Sequence, residues 1–133
     1  MPYIDGFLIP VPHANKDAYL AMARAAAPIF LDLGATRIVE TWGDDLKPGT
    51  HTDFFRAVAA QDGENVVFSW IEYPDKATRD EAARRMIEDP RFAALGDMPF
   101  DGKRMIFSGF TPVLDTKGVL ALPTPKAASS GMS

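Results

Sequence analysis

Charged side chains within otherwise apolar segments are the residues of this sequence best suited to chemistry. The set is Asp5, Glu40, Arg56, Glu72 and Arg104. A charge that leaves water must be paired or hydrogen-bonded, so we expect these groups to contact one another. One interpretation is a network of ion pairs, formed across the sheet or between two copies of the chain. The other is a small pocket in which an arginine and nearby aromatic rings hold an anionic or aromatic ligand.

The pocket interpretation gives a set of candidate ligand-binding residues that combines cations, a carboxylate and aromatic rings. They are Arg56, Trp70, Glu72, Tyr73 and Arg104. Arg104 precedes an apolar strand, so its guanidinium is expected to need a carboxylate partner. Of the available acids Asp5, Glu72 and Asp101, Glu72 is favoured, because the last strand is expected to pair with the strand that carries it. The alternative is an Arg104 that points into solvent.

The other residues that could ligate a metal ion are expected to lie at the surface without one. Asp44 and Asp45 could ligate a hard cation, but an Asx turn after Gly43 is the favoured interpretation. The two histidines, His13 and His51, fall in segments rich in proline and glycine, which favours surface positions over haem or zinc ligation. The chain has no cysteine, which excludes disulfides and Cys nucleophiles. We therefore expect no metal and no cofactor.

Composition and charge exclude several classes of protein. The 133 residues fit one domain, expected at 1–115 and followed by a flexible tail at 116–133. The 14 basic and 18 acidic side chains give a net charge of −4, without the basic stripe of a nucleic-acid binder. Apolar runs are far shorter than the roughly 20 residues that span a bilayer. The first residues lack a basic, apolar leader, so we expect a cytoplasmic protein.

The spacing of apolar residues, prolines and glycines predicts alternating strands and helices. The predicted strands are Tyr3–Val11, Thr36–Trp42, Asn65–Tyr73 and Arg104–Phe110, with a further possible strand at Phe54–Ala60. A first helix is predicted between an N-cap at Asn15 and a C-cap at Gly34, with a kink near Pro28. A second helix is predicted over Lys76–Glu88.

The order β-α-β-β-α-β predicts a ferredoxin-like α+β fold, with an antiparallel sheet and two helices on one face. A sheet covered on one face normally alternates apolar and polar residues along each strand. Here Val66, Phe68 and Trp70 are apolar, and so are Val67 and Ile71 of the opposite face. Both faces therefore need cover. A second copy of the chain is the simplest source, which predicts a homodimer.

Four segments, spread in order along the chain, resemble a known family. They are Tyr3–Phe7, Gly43–Asp45, Val66–Ile71 and Met98–Ile106. They are similar to the YbaA-like bacterial proteins, an uncharacterised family within the dimeric α+β barrel superfamily. The resemblance implies a ferredoxin-like protomer whose sheet packs against that of a partner, and it implies no established activity. The family's last strand usually ends Gly-Gly-Phe, whereas here it ends Ser108-Gly109-Phe110, so any space that the first glycine makes is reduced.

The function that these observations favour is a small dimeric protein that binds a modest organic ligand. An alternative is a cofactor-free monooxygenase-like enzyme, which is argued from the fold alone. Another is a dimer with a purely structural or partner-binding role. A closed pocket lined by Trp70, Tyr73 and an arginine would favour the first two, and a solid core would favour the third.

Overall fold

A four-stranded antiparallel sheet forms the centre of the fold in the computed structural model, which describes residues 1–117. The strands are β1 (Tyr3–Pro12), β2 (Arg37–Glu40), β3 (Glu64–Tyr73) and β4 (Ile106–Phe110). They lie in the order β2-β3-β1-β4, which is the ferredoxin-like arrangement. The prediction that the last strand lies beside the third is wrong. The outer edge of β3 is occupied by β2, so β4 pairs with the free edge of β1.

Helices connect the strands within the described residues. They are α1 (Lys16–Asp32), α2 (Phe54–Ala57), α3 (Lys76–Glu88) and α4 (Pro90–Ala93), with 3-10 turns at His13–Asn15 and Gly102–Arg104. The aromatic segment that predicted a possible strand forms α2 instead. The Asp53 side chain accepts a hydrogen bond from the Arg56 backbone N–H at 2.8 Å and so caps this short helix.

The two ends of α1 differ in how well they were predicted. Gly34 follows the helix with a φ of 118°, the left-handed conformation expected of a C-terminal cap. Asn15 precedes the helix, but its side chain makes no cap and donates to the Pro99 carbonyl at 2.9 Å. This bond ties the start of α1 to the segment that leads into β4. The helix runs through Pro28 without interruption, since proline removes only one backbone bond.

The two faces of the sheet have different neighbours. On the covered face, Ile9, Val11 and Val67 pack against Tyr19 of α1 and form a buried core. The alternate residues of the same strands form what we call the uncovered face: Ile4, Gly6, Leu8, Val39, Phe68, Trp70, Glu72, Ile106, Ser108 and Phe110. Both faces are apolar, as the sequence predicted; within residues 1–117, α1 and α3 cover one of them, and the short helix α2 meets the edge of the other through Phe54.

The structure describes only the first two residues of the predicted tail. Residues 118–133 lie outside the described residues, and with them most of the tail predicted at 116–133. The domain boundary at residue 115 therefore stays a prediction. Within residues 1–117, no helix is long and apolar enough to cross a bilayer.

Candidate functional site

Trp70 and Glu72, two of the predicted ligand-binding residues, lie together on the uncovered face. The indole Nε1 of Trp70 donates to Oε2 of Glu72 at 2.9 Å. The same carboxylate oxygen lies 3.4 Å from Nη1 of Arg37 on β2. These contacts hold one carboxylate within a largely apolar surface.

Tyr73 and Arg56 lie elsewhere in the fold. Tyr73 is buried, because alternation along β3 directs it to the covered face, away from its neighbour Glu72. Burial, with a smaller contribution from the negative charge of Asp5, raises the pKa of Tyr73 to about 12. Arg56 on α2 is exposed, with its Nε 3.8 Å from Oδ2 of Asp53. Ligand binding by these residues stays a prediction.

Arg104 pairs with Glu64 at the opposite end of β3 from Glu72. Nη1 and Nη2 of Arg104 donate to the two carboxylate oxygens of Glu64 at 2.6 and 2.7 Å, and Nε donates to Asp101 at 3.0 Å. The hydrogen bonds from Arg104 lower the pKa of Glu64. The prediction that Glu72 is the partner is wrong, because Glu72 lies eight positions after Glu64, roughly 26 Å along β3.

Within the chain, these five charged residues do not contact one another, so the prediction of contacts across the sheet is wrong, while contacts between two copies of the chain stay a prediction. The strand register places Asp5, Glu40 and Glu72 at different positions or on different faces of the sheet, while Arg56 lies on α2 and Arg104 in the 3-10 turn before β4. Each finds its partner outside the set. The pairs are Asp5 with Arg79, Glu40 with Tyr19, Arg56 with Asp53, Glu72 with Arg37, and Arg104 with Glu64.

Asp5 on β1 and Arg79 on α3 form a largely buried ion pair. Nε of Arg79 lies 3.1 Å from Oδ1 of Asp5, and Nη2 donates to the Tyr3 hydroxyl at 3.0 Å. Burial raises the pKa of Asp5, and the positive charge of Arg79 offsets part of that effect. A Cβ atom on Gly109 would overlap both Arg79 and Tyr3. The glycine of the last strand therefore makes room for this cluster.

A cavity of about 300 Å³ lies between the covered face, α1, α3 and the segment that leads into β4. Apolar side chains from all of these elements line it, including Phe7, Met22, Ala26, Phe30, Ile71, Met86, Met98, Phe100 and Met105. Three polar side chains face it: Tyr19, Glu40 and Ser69. Its volume is at the lower end of the range found for small-molecule sites, and a mostly apolar wall with a few polar groups is typical of them.

The three polar groups of the cavity are in contact with one another. The hydroxyl of Tyr19, a residue only 2% exposed, donates to Oε1 of Glu40 at 2.6 Å. Glu40 lies on the edge strand β2, so its residue is exposed as a whole while its carboxylate faces the cavity. Ser69 on β3 faces the same groups. We call Tyr19, Glu40 and Ser69 the polar triad.

Burial sets the protonation behaviour of the polar triad. It raises the pKa of the Glu40 carboxyl, because an apolar cavity disfavours the charged form, and hydrogen bonds from Tyr19 and Ser69 oppose the shift. Burial also raises the pKa of the Tyr19 hydroxyl, and the adjacent charge of Glu40 adds to the effect. Tyr19 therefore stays a neutral donor, and Glu40 is a carboxylate that holds protons more strongly than usual.

Glu40→Gln is expected to stabilise the fold at neutral pH and to lose this advantage in acid. The pKa of Glu40 is raised in the fold, so its contribution to stability is present below the unfolded pKa and is lost as the pH rises through the folded value. Glutamine keeps an acceptor for Tyr19 and carries no charge. Thermal melts of variant and wild type at about pH 4 and about pH 7.5 check this. An equal difference in melting temperature at both pH values would contradict it.

A second cavity of about 220 Å³ adjoins the first and shares Phe7, Phe30, Ile71, Met86 and Met105 with it. Its charged lining residues are Asp5 and Arg79. These two already form an ion pair with each other, so they leave less hydrogen-bonding capacity for a ligand. The cavity with the polar triad is the better candidate site.

Asp45 and His13, two further candidate metal ligands from the sequence, lie at the surface. Asp45 forms an exposed ion pair with Lys47 at 3.0 Å. His13 is exposed and its ring meets the edge of Trp42, with centroids 6.2 Å apart. Within residues 1–117, no group of three or more histidines and carboxylates is arranged to hold a metal ion.

Comparison with known proteins identifies the family. Residues 2–102 match the family described as "Protein of unknown function (DUF1428)". The chain belongs to this family. It is 54% identical over 116 residues to the uncharacterized protein YbaA of Escherichia coli strain K12, an alignment that covers 86% of this chain and 99% of YbaA. YbaA of Shigella flexneri matches to the same extent. The resemblance to the YbaA-like proteins is confirmed.

Solved structures with the same fold agree with the ferredoxin-like assignment. SnoaB, a cofactor-independent oxygenase from Streptomyces nogalater, superposes with a TM-score of 0.55 at 16% identity, over 88% of this chain and 98% of SnoaB. A dimeric ferredoxin-like protein from an uncultured marine organism superposes with a TM-score of 0.53 at 12% identity, over 87% of this chain and 100% of that protein. At these identities the likeness shows the fold alone. The α+β prediction is thereby confirmed.

Proposed function

We propose that this protein binds a small, largely apolar organic molecule in the cavity between the covered face and its helices. The observation that carries the proposal is the polar triad on the wall of an otherwise apolar cavity. An apolar cavity without a polar group would bind by shape alone, whereas a few placed hydrogen-bonding groups fix the orientation of a ligand. The contacts around Glu40 thus support recognition of a particular compound class.

The segment that closes the cavity supports the proposal because it is fixed at both ends. Asn15 holds the Pro99 carbonyl at 2.9 Å, and Arg104 is bound to Glu64 and Asp101. Phe100 between these anchors packs against the Tyr19 ring, with centroids 5.9 Å apart. A wall held in this way keeps its shape before a ligand arrives, which lowers the cost of binding.

The second part of the proposal is a homodimer formed through the uncovered face. Phe68 and Phe110 of this face are 49% and 57% exposed, and nearby Phe54 is 46% exposed. A continuous exposed apolar patch is typical of an interaction surface. A protein of the same fold is described as dimeric, which supports pairing of two sheets. The predicted cytoplasmic location of this dimer stays a prediction.

Cofactor-free oxygenase chemistry is a second candidate function. The feature that favours it is Glu40, a carboxylate of raised pKa that faces an apolar cavity and could accept a proton from a bound compound. SnoaB has such an activity by its description, and fold alone is a weak guide to activity. Oxygen consumption in the presence of a bound compound distinguishes this candidate from simple binding.

Blocking the cavity should abolish binding of a small aromatic probe. We expect 2-naphthol to bind the wild-type protein with a dissociation constant below about 1 mM. Ala26→Phe places a ring in the cavity, since Ala26 lines it, and should weaken binding at least about tenfold. Fluorescence titration measures this, and circular dichroism checks that the variant is folded.

Ala25→Phe is the matched control for this experiment. Ala25 is exposed on the same helix and does not line the cavity. Its variant should bind 2-naphthol as the wild type does. Absence of binding to the wild type, or equal loss in both variants, would contradict the proposed function.

A further inference from the structure

We propose that the compound bound in the cavity is a neutral ring compound with a hydroxyl group, and that this hydroxyl donates a hydrogen bond to the Glu40 carboxylate. The inference rests on the proposed function and adds the chemical class of the ligand. Three properties of the cavity lead to it: the hydrogen-bonding capacity of the polar triad, the charge of the lining and the shape of the apolar wall.

The polar triad has acceptor capacity to spare. An ionised carboxylate accepts at about four lone-pair positions and donates none. Two positions of Glu40 are taken by hydroxyl groups, that of Tyr19 at 2.6 Å and that of Ser69, so about two are left. Because Tyr19 already donates its hydroxyl proton to Glu40, the strongest hydrogen-bonding group left for a ligand is an acceptor. A ligand that fits must therefore bring a donor.

The charge of the lining disfavours an anionic ligand. Among residues 1–117, the titratable residues that line the cavity are Tyr19 from α1 and Glu40 from β2, and the lining contains no Lys, Arg or His. The arginine of the adjoining cavity, Arg79, is engaged by Asp5 at 3.1 Å. A carboxylate or phosphate ligand would meet the negative charge of Glu40 in an apolar surrounding, where like charges repel most strongly.

The small number of polar groups also disfavours a cationic amine. A buried ion pair is favourable only when further hydrogen bonds satisfy the donors and acceptors that remain. An ammonium group brings three N–H donors that point in different directions, whereas the acceptors of the polar triad lie together at one place on the wall, so part of the ammonium would face apolar side chains. A hydroxyl brings one donor, which Glu40 alone can satisfy.

The wall of the cavity fits a flat ring system. Phe7, Phe30 and Phe100 contribute rings from the sheet, α1 and the closing segment, and four methionines surround them. Aromatic faces and methionine sulfur pack well against aromatic ligands, and methionine adapts to irregular shapes. Tyr19 acts as a positioning residue, since its hydroxyl fixes the carboxylate of Glu40 toward this wall.

The test compares four naphthalene compounds on the full-length protein by calorimetric or fluorescence titration. They are 2-naphthol, its methyl ether, 2-naphthoate and 2-naphthylmethylamine, which share one ring system and differ in the group presented to Glu40. We expect 2-naphthol to bind at least about tenfold more tightly than each of the others, as a site built for one donor discriminates against analogues without it. In Glu40→Gln the preference for 2-naphthol over the methyl ether should fall toward one, because the amide N–H can donate to either oxygen.

The outcomes separate the inference from the proposed function. If 2-naphthol and the methyl ether bind equally, and Ala26→Phe blocks both, the proposed function stands and the inference is overturned. Tighter binding of 2-naphthoate or of the amine overturns the inference in the same way. A preference for 2-naphthol that persists in Glu40→Gln also overturns it. If none of the four compounds binds, the inference and the proposed function both fail.

Discussion

Phe68→Asp is expected to convert a dimer into a monomer. In size-exclusion chromatography with light scattering, the wild-type protein should run at twice its chain mass and the variant at 14.5 kDa. Phe68 lies in the middle of the uncovered face, with its ring centroid 6.4 Å from that of Phe54 and 5.7 Å from that of Trp70. In a dimer, a carboxylate at this position would be buried without a partner, which is strongly unfavourable.

Ile87→Asp is the matched control for the dimer. Ile87 is 85% exposed on α3 and lies outside the uncovered face, so the same change of apolar to charged should leave the mass unchanged. A wild-type protein that runs at 14.5 kDa, or a Phe68→Asp variant that stays dimeric, would contradict the proposed interface.

Arg104→Ala is expected to lower the melting temperature by about 5–10 °C. The guanidinium makes two parallel hydrogen bonds to Glu64, and the side chains are only 17% and 8% exposed. Removing it leaves the Glu64 carboxylate largely buried without its partner and frees the segment that closes the cavity. Thermal melts of Arg104→Ala, Glu64→Ala and the double variant measure this. The sum of the decreases in melting temperature of the two single variants should be larger than the decrease of the double variant.

The exposed pair of Arg84 and Glu81 serves as the control for Arg104. Its donor and acceptor atoms are 2.6 Å apart, but the side chains are 58% and 52% exposed. Solvent screens such pairs, so Arg84→Ala should lower the melting temperature by less than about 2 °C. A loss for Arg104→Ala no larger than that for Arg84→Ala would show that the Glu64 pair does not hold the segment.

The fold class could be predicted because periodicity and the order of elements determine it. Apolar residues on both faces of β3 also predicted an uncovered apolar face. Which strands pair with each other was harder to predict, because the alternation of apolar and polar residues shows which face a residue occupies and does not show which strand lies beside it. The prediction of the partner of Arg104 was wrong for this reason, since Glu64 becomes its neighbour only when β4 pairs with β1.

The possible strand predicted at Phe54–Ala60 was wrong because a helix cap outweighs the strand propensity of its residues. Two adjacent phenylalanines favour a strand by propensity, but the Asp53 cap satisfies the first backbone donors of a helix and decides the conformation. A carboxylate directly before the aromatic pair was a usable signal. The helix also brings Phe54 to Phe68 on the uncovered face.

The polar triad could be predicted only in part. The sequence shows Glu40 as a charge in an apolar strand, but nothing in the pattern singles out Tyr19 on its predicted helix or Ser69 on its predicted strand. Ser69 lies between Val67 and Ile71, which occupy the same face of β3 and are buried, and this was the available signal for a polar group directed into the core. The cavity itself could not be predicted, because its volume depends on distances between packed elements.

The most direct test of the central claim is a methyl NMR titration of selectively labelled methionine with 2-naphthol. Four of the six methionines, Met22, Met86, Met98 and Met105, line the cavity, while Met1 is 51% exposed at the start of the chain. A bound aromatic ring shifts the resonances of methyl groups packed against it. We expect saturable shifts at these four methionines and none at Met1. Cavity methyl signals that stay unchanged up to the solubility limit of 2-naphthol would contradict the central claim.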